Sequence, residues 1–315
     1  MLSHIVVPLD GSPFGEQVLP LAVHLAERHH AELELVHVVE ALAPYEVQGA
    51  PPIDPALDSE IVRERQRYLE RTADWLRTDS SVAIQSCTLA GSDVVETLTA
   101  HLAQVHADLV VVATHDHDGL SKFSFGGLPS GLVHSADAPV LLVPGSEAAE
   151  SDRAHPIFKK VLLPLDGSMD EEAIDDALGL VAPNDADFIL LNVQQPVASY
   201  EEEVLAPDET PEIEEADTAV LEPYAASELE AGTDEYLEGV AQRIRSRGFT
   251  ATAEVINDRS PAKAILTVAD AWDVDLIVVE SHAADGIGRF LHSRIADKII
   301  RGAHVPVLAH RHPIQ

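Results

Sequence analysis

Cysteine, aromatic rings and lysine are scarce in this sequence, and each scarcity excludes something. One cysteine among 315 residues, Cys87, cannot close an intrachain disulfide and has no Cys or His partner at metal-ligand spacing. That usage fits a reducing cytosol, with Cys87 expected to be a satisfied core thiol. Aromatic residues are 4% of the chain, and of its 20 basic residues only five are lysine (Lys122, Lys159, Lys160, Lys263 and Lys298). Against them stand 54 acidic residues, for a formal net charge of −34. Such a chain is a poor partner for nucleic acid, whose affinity rests on basic side chains displacing counterions, and for anionic membranes for the same reason. No apolar run approaches the roughly 18 residues needed to span a bilayer; the best is Leu109–Ala113. Met1–Asp10 reads as the start of a strand, without the basic, apolar and small-residue regions of a signal peptide. A cytoplasmic protein is therefore expected, with no nucleic-acid or membrane partner.

Hydrophobic residues make up 46% of the sequence, so the acidity is not that of a disordered chain and must sit on surfaces. The length suits two domains, and the chain repeats itself. His4-Ile-Val-Val-Pro-Leu-Asp-Gly-Ser12 returns as Lys160-Val-Leu-Leu-Pro-Leu-Asp-Gly-Ser168, and Glu32-Leu-Glu-Leu-Val-His-Val38 matches Asp187-Phe-Ile-Leu-Leu-Asn-Val193. The closing runs also match, Ala138-Pro-Val-Leu-Leu-Val-Pro144 with Val305-Pro-Val-Leu-Ala309.

Between these landmarks each half alternates strand and helix. The first half predicts strands near 4–9, 33–39, 83–89, 109–113 and 140–143, with helices near 13–30, 57–78, 93–105 and 128–136. The second predicts strands near 160–165, 187–193, 250–256, 276–280 and 305–309, with helices near 169–181, 227–247, 260–272 and 292–302. Ser92 with Glu96, and Ser260 with Pro261, look like helix starts. Apolar strands alternating with helices imply α/β architecture: two doubly wound, Rossmann-like, five-stranded parallel-sheet domains in tandem. The polar, aperiodic stretch Gly145–Pro156 sets the boundary, giving domains 1–146 and 158–315 joined by a linker at 147–157. No Lys or Arg occurs from Val161 to Gln242, and the stretch 196–223 is a strongly acidic insertion. It reads as a solvated loop, with a docking site for cations or a basic partner as the alternative.

These residues resemble the universal stress protein family, one family domain per half. The resemblance rests on Val-Pro-Leu-Asp-Gly-Ser at the first strand, Gly119-Leu120 and Gly286-Ile287 after the fourth, and the closing Ala-Pro-Val-Leu and Val-Pro-Val-Leu segments. The acidic, Arg-over-Lys composition resembles that of a salt-adapted proteome, such as a halophilic archaeon's, with an ordinary acidic protein as the alternative.

Nucleotide-binding members carry Gly-x-x-Gly, nine residues and Gly-Ser after the fourth strand, with an Asp ending the first. Glycines admit phosphates to the backbone, a helix N-terminus holds negative oxygens, and the Asp can meet the adenine edge. The resemblance therefore places a first-half site at Pro8, Leu9, Asp10, Val38, Ala113, His115, Asp116, Gly126, Gly127 and Leu128. There Ala113-Thr-His-Asp116 replaces Gly-x-x-Gly, and Gly126-Gly127 replaces Gly-Ser. The second-half equivalents are Asp166, Val193, Glu280, His282, Ala283, Ser293 and Arg294; both spaced glycines and the Gly-Ser pair are gone, and these residues are expected not to bind. A carboxylate such as Glu280 a few ångströms from a triphosphate costs about 1–4 kcal/mol. Each Asp-Gly is equally readable as a plain turn.

His115-Asp-His-Asp118 lacks a zinc spacing and reads as a polar loop, so no metal site is expected. Gly127-Leu-Pro-Ser-Gly131 is not a nucleophile elbow, and neither a dinucleotide fingerprint nor a P-loop occurs. Arg63–Arg71, interleaved with Glu60, Glu64 and Glu70, reads as an ion-pair face, and Trp75 and Trp272 as anchors of helix packing.

The resemblance implies a stress-response or regulatory protein without catalysis, whose halves form an intrachain pseudo-dimer through Val140–Val143 and Val305–Ala309. It leaves a homodimer and an unidentified protein partner open. No cofactor is assigned. The alternatives are an ATP- or AMP-binding sensor using the first domain, slow ATP hydrolysis included, and an adaptor docking a partner through the acidic insertion.

Overall fold

The computed structural model describes residues 2–40, 55–114, 127–145, 158–166, 171–194, 223–282 and 289–312. The expected linker and nearly all of the acidic insertion lie outside them, as do Gly119-Leu120 and Gly286-Ile287.

In the first half, β1 (His4–Pro8), a 3₁₀ turn (Gly15–Val18), α1 (Leu19–His29) and β2 (Glu32–Glu40) lead to α2 (Pro55–Asp79) and β3 (Ile84–Gly91). There follow α3 (Val94–Val105), β4 (Leu109–Thr114), α4 (Leu128–Ser135) and β5 (Val140–Pro144). The second half repeats this as β6 (Lys160–Pro164), α5 (Glu171–Leu180), β7 (Asp187–Gln194), α6 (Pro223–Ser246), β8 (Thr250–Asn257), α7 (Pro261–Ala271), β9 (Leu276–His282), α8 (Arg289–Gly302) and β10 (Val307–His312).

All ten strands form one sheet, in the order β3-β2-β1-β4-β5-β10-β9-β6-β7-β8. Each half is parallel and doubly wound. The strands run apolar on both faces because helices cover both: Ile5, Val7, Leu33 and Leu35 belong to one buried layer, Val6, Val36, Leu98 and Leu102 to the other. The segments expected to join the halves do meet. β5 and β10 pair antiparallel, with Leu142 opposite Val307, Leu141 opposite Leu308 and Val140 opposite Ala309, so each half covers an edge the other would expose. Side chains reinforce the junction: Arg28 Nη2 lies 3.0 Å from Asp185 Oδ2, Ser281 Oγ donates to the Val133 carbonyl at 2.9 Å, and Arg311 Nη1 donates to the Ser135 carbonyl at 3.0 Å.

Several local expectations change. The helix expected over 13–30 is a 3₁₀ turn followed by α1, with Pro20 in the first turn, where a missing N–H costs nothing. Asp93, not Ser92, caps α3; its carboxylate accepts the Glu96 amide at 2.8 Å. The Ser260 side chain makes no cap bond, and its amide donates to Asp258 Oδ1 at 2.7 Å. Trp75 is 59% exposed, because the buried stripe of α2 runs through Leu69, Thr72, Ala73 and Leu76 and leaves position 75 outside it. Trp272 does pack, partly buried, against the layer under α7 and α8. Two residues without a sequence expectation start each half alike: Asp108 Oδ2 accepts the Ser3 and His4 amides, and Asp275 Oδ2 those of Lys159 and Lys160, all at 2.7–2.9 Å.

Candidate nucleotide site at the carboxyl edge

In an open α/β sheet ligands gather outside the carboxyl ends of the strands, where the strand order reverses; in the first half that point lies between β1 and β4. The chain leaves β1 through Pro8 and Leu9, both buried. The Leu9 amide donates to the Val36 carbonyl at 2.8 Å, and His37 Nδ1 lies 2.6 Å from the Leu9 carbonyl. With a carbonyl as partner, the imidazole must be the donor. Burial pushes the His37 pKa down, and the nearby Arg65 guanidinium adds to this against the Leu9 bond, favouring the neutral ring.

Asp10 is exposed at the edge. Its Oδ1 accepts the Ser12 amide at 2.8 Å and the Ser12 hydroxyl at 2.6 Å, and Ser12 Oγ in turn accepts the Gly15 amide at 3.1 Å. Burial raises the Asp10 pKa, but the Ser12 bonds outweigh it and hold the carboxyl below its ordinary value. The turn reading of Asp-Gly-Ser is thus realised on one carboxylate oxygen, and the other has no hydrogen bond to another described residue. Gly11 has φ +85°, and a Cβ there would meet Arg65 Nη1 at 3.2 Å. This places a guanidinium of α2 beside the turn. Arg65 had been grouped with an ion-pair helix face; nothing in its local spacing marks it, because its position is set by how α2 docks on β1 and β2.

Elsewhere on that edge, Gly127 caps α4 with φ 117° and ψ −150°, a conformation open in practice only to glycine, and among the described residues no heavy atom beyond its chain neighbours and helix backbone lies within 4 Å of where its Cβ would be. The first turn of α4 carries the Leu128 and Ser130 amides, Pro129 having none, and Gly127 offers no side-chain cap. Ala113 does not share this role, since its buried methyl belongs to the core. Val38 and Leu128 are partly buried against the opposite layer. His115, Asp116, Gly126 and Ala283 lie outside the described residues.

The second half copies the base of this arrangement and loses its upper part. The Leu165 amide donates to the Leu191 carbonyl at 2.8 Å, and Asn192 Nδ2 donates to the Leu165 carbonyl at 2.6 Å, replacing His37. Asp166 is exposed like Asp10, and Val193, like Val38, is partly buried. Arg77 and Arg245 donate to the equivalent carbonyls of Ile84 and Ala251, a register that puts Thr233 where the first half has Arg65. Glu280 is buried in β9 directly across the ladder from His310, whose Nδ1 lies 2.6 Å from Asp176 Oδ2. His282 ends β9. Ala136 and Ala303 close α4 and α8 with equivalent bonds to Leu132 and Ile299, so Gly127 corresponds to Arg294 and Leu128 to Ile295. Yet α8 is already helical from Arg289, and Ser293 and Arg294 lie within it. Six extra helical residues, about 9 Å at 1.5 Å per residue, stand where the first half opens its helix terminus.

The fold is that of a tandem, doubly wound α/β protein, with a candidate ligand site at the carboxyl edge of the first half. The universal stress protein family matches residues 1–144 and 157–311, and the chain belongs to that family. A universal stress protein of Mycolicibacterium smegmatis is 27% identical over 316 residues, 98% of this chain and 96% of that one. Universal stress protein A homolog 1 of Coxiella burnetii is 32% identical over 142 residues, 44% of this chain and 94% of that one. The crystal structure of a universal stress protein from Archaeoglobus fulgidus aligns with a TM-score of 0.70 at 16% identity over 98% of both chains, a likeness of fold.

Proposed function

We propose that the chain is a non-catalytic regulatory protein in which only the first half offers an adenine-nucleotide site, the second half serving as its built-in dimer partner. The observation that carries this reading is the early start of α8, which puts helical Arg294 where Gly127 opens α4. Arg65 supports it, a cation at the first-half edge matched by Thr233 in the second. The base end keeps the free oxygen of Asp10, and the anion end keeps Gly127 and the α4 amides. Ala113 in place of glycine denies the phosphates one close backbone approach, so the site is weak. The sequence carries no nucleophile elbow and no P-loop, which supports a binding role. The surface charge supports a salt-adapted, cytoplasmic setting; no described helix is long and apolar enough to cross a membrane.

Calorimetry with ATP and AMP in about 2 M KCl, where charge repulsion is screened, tests this. One ligand per chain is expected, weakened about 10–100-fold by Arg65→Ala, the loss of a charge-assisted contact of roughly 1.5–3 kcal/mol. Two ligands per chain, or no binding at millimolar nucleotide, overturns the proposal.

A further inference from the structure

A second polar cluster lies away from the carboxyl edge, near the amino-terminal ends of β1 and β2. Glu34 is the third residue of β2 and only 6% exposed. Its Oε1 lies 3.0 Å from His101 Nε2 on α3, and its Oε2 lies 3.1 Å from His4 Nε2 on β1. Cys87 on β3 completes the group: the ligand atoms of Glu34, Cys87 and His101 are all within 4.8 Å of one another.

The fold does not require this cluster. By the register that matches Leu9 with Leu165 and Val36 with Leu191, Glu34 corresponds to Ile189, which is buried in the same layer of the second half. The matching cap bonds of α3 and α7, and of Asp108 and Asp275, align His101 with Val268. At these two positions the second half packs aliphatic side chains, while Lys160 and Glu254 stand where the first half has His4 and Cys87. In the first half both carboxylate oxygens of buried Glu34 meet an imidazole, His101 on one and His4 on the other, and the Cys87 thiol stands beside them. A buried carboxylate is costly to keep, and here it is gathered with an imidazole and a thiol, three side chains of metal-ligand type from three different elements.

We propose that Glu34, Cys87 and His101 form a three-ligand site for a zinc-class divalent cation, with His4 as a positioning residue on the second carboxylate oxygen. One thiolate, one imidazole and one carboxylate suit zinc or cobalt over the all-oxygen preference of calcium and magnesium. Tetrahedral zinc ligands of these types stand about 3.3–3.6 Å apart, so small side-chain rotations close the present arrangement. Three protein ligands leave a fourth position for water or an exogenous ligand. β3 is an outer strand of the sheet, and Cys87 and His101 are only partly buried, which gives the ion a way in. Burial and the Glu34 carboxylate push the Cys87 thiol pKa up. Metal binding would take the thiol as thiolate and release its proton to solvent as the metal–sulfur bond forms. The bound ion would fasten the edge strand β3 to β2 and α3, a link the second half lacks.

Cobalt(II) is the probe, added to the chelator-treated full chain in about 2 M KCl, where the many surface carboxylates bind it weakly. The expected result is saturation at one equivalent, with a near-ultraviolet sulfur-to-cobalt charge-transfer band, visible bands of four-coordinate intensity, and displacement by zinc. Cys87→Ser is expected to abolish the charge-transfer band and His101→Gln to prevent saturation, with circular dichroism confirming that both fold. His4→Gln is expected to keep the band and weaken apparent affinity about 10–100-fold, as loss of an outer-sphere partner does. A folded parent chain with no charge-transfer band at several equivalents overturns the proposal, as does a band that survives Cys87→Ser or is unaffected by His101→Gln.

Discussion

Leu308→Asp is expected to cost the folded chain about 3–5 kcal/mol, the range for a buried charge left without a partner, and to lower Tm by about 10 °C or more at roughly 2–4 °C per kcal/mol. Leu308 and Leu141 face each other across the β5–β10 junction, and both are fully buried in the layer that runs through both halves. A carboxylate at 308 must therefore stay unpaired in the core, protonate, or pull the two edges apart. Truncation separates the causes: Leu308→Ala and Leu141→Ala should each cost about 2–5 kcal/mol through lost burial and cavity formation. Because the two side chains share one cavity, the double variant should cost less than the sum, with a coupling of about 0.5–3 kcal/mol. Calorimetry and chemical denaturation check both. An aspartate variant that melts within about 1 °C of the parent would show that the junction contributes little to stability.

Removing salt is expected to destabilise the chain by a few kcal/mol, so that Tm rises by about 10 °C between roughly 0.1 M and 2 M KCl. The 54 acidic residues outnumber the 20 basic ones by far, and the described arginine pairs, Arg28–Asp185, Arg77–Asp74, Arg245–Glu238, Arg247–Asp175 and Arg311–Asp137, neutralise few of them. Each of these pairs has at least one exposed partner and weakens with salt, whereas repulsion among the unpaired carboxylates is relieved over the same range. The net effect is stabilising because repulsive contacts dominate the surface. Melting curves in KCl, with sucrose as an uncharged control, separate screening from general solute exclusion. A Tm that is flat or falls with KCl contradicts a salt-adapted surface.

The fold was legible because its signals are local. Runs such as Ile5-Val-Val and Leu109-Val-Val-Val are buried on both faces and mark central strands, and their recurrence in the second half fixed the order of elements to within a few residues. That β5 and β10 meet was expected from family resemblance, since no local pattern specifies which edges join; that they pair antiparallel is what the structure adds. Single-residue expectations fared less well. Ser92 and Asp93 are both competent caps, and a shift of one residue chose Asp93; Trp75 looked like an anchor by type, but its helical phase faces water.

The site divides the same way. Asp10 and Gly127 were visible through motif register, and the structure adds what each can offer: one free carboxylate oxygen, and a glycine-only conformation with open space. Arg65 was hidden because its proximity to Gly11 depends on helix docking. The Glu34–Cys87–His101 group was invisible for a similar reason: residues 34, 87 and 101 come from two strands and a helix, and no spacing along the chain announces their meeting. The start of α8 was partly legible: the helix expected near 292–302 already contained Ser293 and Arg294, and the structure begins it three residues earlier, at Arg289.

The division of labour between the halves is tested most directly by photoaffinity labelling with an azido-adenine nucleotide, followed by peptide mapping of the full chain in high salt. Label confined to peptides from residues 2–145, and suppressed by excess ATP, is the expected result. Label that maps to residues 158–312, or that divides evenly between the halves, would contradict a single site in the first half.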